Sequence, residues 1–116
     1  MRRLAFLLVL LAAAAALPPA AHARTKEVVL EDIDFKPGTV KIRKGDRVRW
    51  IWKDGPYTAH NVRSRGKRRF KGSSTKKEGR HTVRFRRSGT YRYVCTLHPG
   101  MAGKVVVRSS GRPAGS

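Results

Sequence analysis

The sequence predicts an all-β fold, an antiparallel sandwich or barrel of short strands. Three observations carry that prediction. After Arg24, apolar and charged residues alternate with a period of two, and no run shows the 3.6-residue spacing of an amphipathic helix. Clusters of Gly, Pro, Asp and Ser break the alternating runs at short intervals. At 116 residues and 40% hydrophobic content, the chain can fill one small core but not two.

The strands can be read in order. Val40 and Ile42 alternate with Lys41 and Arg43. Val48, Trp50 and Trp52 alternate with Arg47, Arg49 and Lys53, and Ile51 is the one apolar residue on the outer face of that run. Val83 and Phe85 alternate with Arg84 and Arg86. Tyr91, Tyr93 and Cys95 share a face opposite Arg92, and Val105 and Val107 share one near the end. The turns fall at Pro37-Gly38, Lys44-Gly45-Asp46, Asp54-Gly55-Pro56, Ser88-Gly89 and Pro99-Gly100. Residues 63–79 differ. They carry eight Lys and Arg among Gly and Ser, with Phe70 as the only large apolar residue, and read as a long, exposed, basic connection. Residues 109–116 read as a flexible tail of Ser, Gly, Pro and Ala with one Arg.

The N-terminus reads as an export signal. Arg2 and Arg3 precede an apolar run from Leu4 to Leu17. That run is shorter than the ~20 residues a bilayer-spanning helix needs. Pro18-Pro19 ends it, and Ala21-His22-Ala23 supplies a small-x-small cleavage pattern. The expected organisation is a signal peptide at 1–23, one domain at 24–108 and the tail at 109–116. The mature chain has no transmembrane segment, and the protein is periplasmic, extracellular or on a cell surface. Lys+Arg 27 against Asp+Glu 7 give a net charge of +20. Such a balance suggests phosphate binding, but an exported protein rarely meets nucleic acid, so no nucleic-acid partner is expected. Most of the charge instead lies on outward strand positions, where it is solvated.

The single Cys excludes an internal disulfide. It stands in Cys95-Thr96-Leu97-His98-Pro99-Gly100-Met101, and a second motif, His60-Asn61-Val62, lies upstream. One thiolate, two imidazoles and one thioether form a soft donor set. Two His and one Cys with a weak axial Met is the ligand pattern of blue-copper electron-transfer sites. Cys95 ends a strand on its inward face. Pro99 and Gly100 force a turn, so Cys95, His98 and Met101 can converge, and His60 must arrive from a neighbouring loop. Structural zinc is a weaker fit, because thioether is a poor zinc donor. A Cys-His hydrolase would need an orienting residue and an oxyanion hole.

At these residues the sequence resembles the cupredoxins of the plastocyanin, pseudoazurin and amicyanin group. Cys95-x₂-His98-x₂-Met101 has the short spacing of amicyanin. His60-Asn61-Val62 resembles the first-ligand motif, Ser88 to Cys95 the strand into the copper loop, and Met101 to Val107 the last strand. Phe35-Lys36-Pro37, Val40 to Ile42 and Gly45 to Trp50 resemble the early strands. The resemblance implies a Greek-key β-sandwich of about eight strands with one copper ion at one end. It implies Cys95 as the short thiolate, His60 and His98 as the other equatorial ligands and Met101 as the axial one. It further implies that the Asn61 backbone N–H bonds the thiolate, and that its side chain ties the ligand loops together through Thr96. Electrons would pass through the exposed edge of His98, with Pro56, Tyr57, Pro99 and Gly100 as an apolar docking surface.

The expected function is therefore an exported type 1 copper protein. It is a monomer that shuttles single electrons between redox protein partners, acidic at their docking surfaces, and it is not an enzyme. A copper chaperone or storage protein is the first alternative, and a basic surface-binding module is the second, motivated by residues 63–79. His81 is not assigned to metal. Its parity points inward, yet it begins a strand, where an exposed position is as reasonable.

Overall fold

The structure, a computed structural model, describes residues 22–109. The signal peptide expected at 1–23 falls outside these residues except for its last two positions, and the tail expected at 109–116 falls outside them except for Ser109.

Eight strands form two four-stranded sheets. They are β1 (Thr25–Glu31), β2 (Asp34–Lys36), β3 (Thr39–Arg43), β4 (Arg47–Trp52), β5 (Arg63–Arg65), β6 (Arg80–Arg84), β7 (Gly89–Val94) and β8 (Ala102–Arg108). The first sheet runs β2-β1-β4-β6 and the second β3-β8-β7-β5. The sandwich is not purely antiparallel. β1 pairs parallel with β4, and β3 parallel with β8. Each parallel partner is separated by a crossover between sheets, as Greek-key connections require. Among the described residues, no helix is long and apolar enough to cross a membrane.

The alternation works as expected. Val40, Ile42, Val48, Trp50, Trp52, Phe85, Tyr91, Tyr93, Val105 and Val107 are all buried. β1 and β2 escape the alternation rule, because Val28, Val29 and Leu30 are contiguous. Val28 and Leu30 point into the core, while Val29 lies on the outer face opposite Ile51. That pairing explains the apolar Ile51 among arginines: the two side chains cover each other.

The basic segment is mostly exposed, as its composition suggests, but parts of it are built into the sandwich. Its first three residues form β5, paired with β7. Its one aromatic, Phe70, stacks on Trp50 with centroids 5.5 Å apart and lies 5.4 Å from Phe85 and 6.0 Å from Tyr93. Phe70 thus closes the gap between the sheets, and Arg68 lies across Gly89, where an added Cβ would fall 2.5 Å from its side chain. Ser73 is buried; its hydroxyl accepts from the Val62 N–H, and its own N–H donates to the Val62 carbonyl. His81 is half-buried, with its ring 6.0 Å from Trp50 and its Nε2 2.8 Å from the Lys71 carbonyl.

Two hydroxyl and indole groups in the core, Tyr93 OH and Trp50 Nε1, have no hydrogen-bond partner among the described residues. Burial pushes the Tyr93 phenol up to about 12, so it stays neutral in this apolar setting.

β1 and β2 meet in a two-residue turn in which both Asp32 and Ile33 have a φ of 54°. Such turns suit Asn and Gly, because a β-branched residue in the left-handed region is strained. Ile33 is also 52% exposed, so it recovers little by burial. Ile33→Gly is therefore expected to stabilise the fold by about 1 kcal/mol. A rise in the urea unfolding midpoint checks this, and a fall would mean that Ile33 makes contacts worth more than its strain.

Candidate metal centre

β7 delivers the thiol. Tyr91 and Tyr93 face inward, so two residues on, Cys95 does too, and its side chain is buried as β7 ends. The chain then closes a tight loop. The Cys95 N–H donates to the Met101 carbonyl at 2.9 Å, and the Met101 N–H to the His98 carbonyl at 3.1 Å. Gly100 supplies a φ of 85° for the reversal, a conformation that favours glycine. Met101, buried at the end of the loop, leads directly into β8. The loop is thus held at both ends by neighbouring strands of one sheet.

His60 comes from the other side. It lies between β4 and β5 and is fully buried. A two-way backbone bridge with Lys76 fixes it, each N–H donating to the other's carbonyl at 3.0 Å. The His60 carbonyl also accepts from the Trp52 indole at 3.0 Å. Lys76 in turn sits over the Trp52 ring, with Nζ 4.4 Å from its centre. The basic segment therefore braces the first histidine from behind.

These elements bring three donor atoms to one point. His60 Nδ1 and His98 Nδ1 are 3.2 Å apart, and Cys95 Sγ lies 3.8 Å from the first and 3.4 Å from the second. Metal–nitrogen bonds of ~2.0 Å and metal–sulfur bonds of ~2.3 Å place equatorial donors about 3.4–3.8 Å apart. The two sulfur–nitrogen sides match that size, and the nitrogen–nitrogen side, at 3.2 Å, is slightly shorter. Its electrostatics also call for a cation. His60 Nε2 lies 2.6 Å from Asp54 Oδ2. An ionised carboxylate can only accept, so Nε2 carries the proton and Nδ1 presents a bare lone pair. That lone pair faces a second imidazole nitrogen and a sulfur. Two imidazole nitrogens and a sulfur at these distances form a donor set suited to a soft cation. The sequence expectation that His60, Cys95 and His98 converge on one point agrees with this geometry, and Met101 closes the same loop.

Asp54 was visible in the sequence only as part of a turn. Here it organises one side of the centre. Besides His60 it accepts from the Asp32 N–H at 2.8 Å and the Ile33 N–H at 3.0 Å. Partial burial works to raise its pKa, but these hydrogen bonds outweigh it and hold the carboxyl below the usual carboxylate range. A carboxylate behind a ligand histidine fixes the ring's tautomer and orientation. Through Asp54 the β1–β2 turn is tied to that histidine.

Asn61 organises the other side. Its Nδ2 donates to Thr96 Oγ1 at 2.8 Å, and its Oδ1 accepts from the Thr96 N–H at 2.9 Å. Nδ2 also donates to Thr75 Oγ1 at 2.9 Å, a partner the sequence did not reveal. The side-chain tie between the ligand loops is thus present, and it reaches the basic segment as well.

Exposed apolar residues lie on both ligand loops. Tyr57 is 92% exposed and Leu97 48% exposed, beside exposed Pro56, Pro99 and Gly100. Leu97 joins the residues expected there. His98 is half-buried. Its Nδ1 faces the donor cluster, so the opposite ring edge is the part that approaches solvent.

Comparison with known proteins agrees with this architecture. Residues 3–107 match the model of the cupredoxin-like domain family. The chain belongs to the cupredoxin-like family. It is 35% identical over 89 residues to amicyanin-alpha of Methylorubrum extorquens, covering 75% of each protein. It is 37% identical over 82 residues to amicyanin of Paracoccus denitrificans, covering 69% of this chain and 63% of that one. The chain therefore spans less than two thirds of the Paracoccus protein's length. Among solved structures, a Cu(I) amicyanin variant superposes with a TM-score of 0.61 at 30% identity, over 72% of this chain and 82% of that chain. This cupredoxin shares with them the two-sheet architecture described above.

Proposed function

We propose that His60, Cys95, His98 and Met101 of this cupredoxin would hold one copper ion, and that the protein carries single electrons between redox proteins. The observation that carries this reading is the convergence of two imidazole nitrogens and one cysteine sulfur within 3.8 Å, with Asp54 against the far nitrogen of His60. Bound copper supplies a one-electron couple, Cu(II)/Cu(I).

The chain's own residues make that couple usable. Asp54 holds the His60 ring, and the Asn61–Thr96 pair locks the two ligand loops to each other. Donors fixed in this way change position little between oxidation states, which keeps the reorganisation cost of electron transfer low. Burial of His60 and Cys95 keeps water from the donors. His98 provides the short route outward, and the apolar surface of Tyr57, Leu97, Pro56 and Pro99 suits brief contacts that release readily. The protein works as an exported monomer and a binding and redox module rather than an enzyme. Its basic surface favours partners that are acidic around their docking sites, through encounter rate more than affinity.

The steering idea has a signed test. Oxidation of the reduced, copper-loaded protein by ferricyanide should slow several-fold as ionic strength rises from ~0.01 M to ~0.15 M, where the Debye length falls from ~30 to ~8 Å. A cationic cobalt complex should show the opposite trend. Flat profiles for both would mean that the charge does not act at the electron port.

A further inference from the structure

The structure sorts the charges onto different faces. All seven acidic residues are described. Glu27, Glu31, Asp32 and Asp34 lie on β1, β2 and their turn in the first sheet. Asp46 is buried and accepts from the Arg24 and Arg43 backbone N–H groups. Asp54 is committed to His60, and Glu78 is in the segment between β5 and β6. None stands on a strand of the second sheet. Its outward positions include Thr39, Thr90, Val94, Ala102 and Val106, and every charged residue among them is a cation. Arg65 is the register partner of Arg92, and Arg92 of Lys104, so three cations form one row across β5, β7 and β8. Lys41, Arg43 and Arg108 continue the face on β3 and β8, where Arg43 and Arg108 are partners. Among the described residues, no salt bridge involves any of the six.

This arrangement works against the fold alone. Like charges placed directly across a sheet repel and destabilise it. Water and dissolved ions screen such a row, and a fixed anionic surface outside would neutralise it more fully. The character of that partner follows from what the face lacks. The exposed large hydrophobic residues, Ile33, Tyr57 and Leu97, all lie elsewhere. Stable protein interfaces rely on buried aromatic or apolar anchors as well as charge. Single-stranded nucleic acids need stacking platforms. A broad sheet face with cations ~5 Å apart across strands and ~7 Å apart along them fits a planar array of fixed negative charges.

We propose that the outer face of the β3-β8-β7-β5 sheet seats the protein on an anionic lipid bilayer. The contact is electrostatic and reversible, with no side chain inserted. It goes beyond the electron-carrier reading and does not depend on copper. Arg92 and Lys104 each stand three residues from a proposed ligand, Cys95 and Met101. The seated face therefore begins about 10 Å from the metal centre. The apolar surface around His98 stays open at the end of the sandwich, beside the membrane rather than against it.

The test is co-sedimentation of the purified protein with vesicles of phosphatidylglycerol and phosphatidylcholine, against vesicles of phosphatidylcholine alone, at ~0.1 M salt. Each cation near an anionic surface raises partitioning about fivefold. The triple variant Arg65→Glu, Arg92→Glu, Lys104→Glu should lose ~100-fold or more of its binding to the anionic vesicles. The milder Arg92→Gln should lose about fivefold and guards against misfolding of the triple variant. A charge-matched control, Arg80→Glu, Arg84→Glu, Arg86→Glu, alters exposed residues on and after β6 in the opposite sheet. It should lose far less, because with sheets ~10 Å apart the outward side chains of the two faces lie further from each other than the Debye length of ~10 Å at that salt. Equal losses in the two triple variants would overturn the proposal in favour of net charge alone. Equal binding to both vesicle types would overturn it, as would failure to bind either while soluble polyglutamate or polyphosphate is bound.

Discussion

Replacing Asp54 with Ala should weaken copper binding by about 10–100-fold and shift the reduction potential, with the fold intact. Loss of the partner that holds a ligand histidine has an effect of that size. His60 is fully buried, so without Asp54 its Nε2–H is left with no acceptor, and the ring is free to turn or change tautomer. The same substitution removes the acceptor of the Asp32 and Ile33 N–H groups, which loosens the β1–β2 turn. Asp54→Asn separates the two roles. The amide keeps one accepting oxygen, replaces the other with a donor and carries no charge, so it should retain the turn better than it retains the affinity. Competition with a copper chelator gives the affinity, and voltammetry gives the potential. If Asp54→Ala binds copper as the parent does, the carboxylate does not position the ligand.

The largest effect on stability is expected from Trp50→Ala. Trp50 is fully buried in β4 and meets aromatic rings on several sides. It stacks on Phe70 with ring planes 2° apart, and Tyr93 of the second sheet meets it edge-on at 5.3 Å. One side chain therefore links the first sheet, the second sheet and the basic segment. Large-to-small replacement of a buried aromatic costs about 3–5 kcal/mol, against a total stability of about 5–15 kcal/mol for a domain. The urea midpoint should fall accordingly. Because Phe70 loses its stacking partner, residues 66–72 should also become more susceptible to limited proteolysis before global unfolding. A loss below ~1 kcal/mol would show that the core closes without Trp50.

Much of this was legible in the residues. Strands with clean alternation declared themselves, because one face of each is core and the other is solvent. The ligand loop was legible because Cys, His and Met recur at fixed spacing beside a Pro-Gly turn. What escaped did so for physical reasons. β1 hides its alternation, since Val29 is covered by Ile51 on the outer face. The parallel pairings are set by crossovers between sheets, which leave no local mark. Asp54 looked like an ordinary turn residue, and its bond to His60 exists only once β4 and the next segment fold back. Phe70 stood alone in a basic stretch, and only the gap between the sheets gives it a place. The row Arg65–Arg92–Lys104 is scattered along the chain and becomes a row through strand register.

The central claim is that His60, Cys95, His98 and Met101 form a copper site built for electron transfer. Its most direct test is the visible spectrum on stepwise addition of Cu(II) to the purified protein. The account predicts an intense thiolate-to-copper charge-transfer band that saturates at one ion per chain and disappears in Cys95→Ser. A protein that stays colourless, or keeps its band in Cys95→Ser, would contradict it.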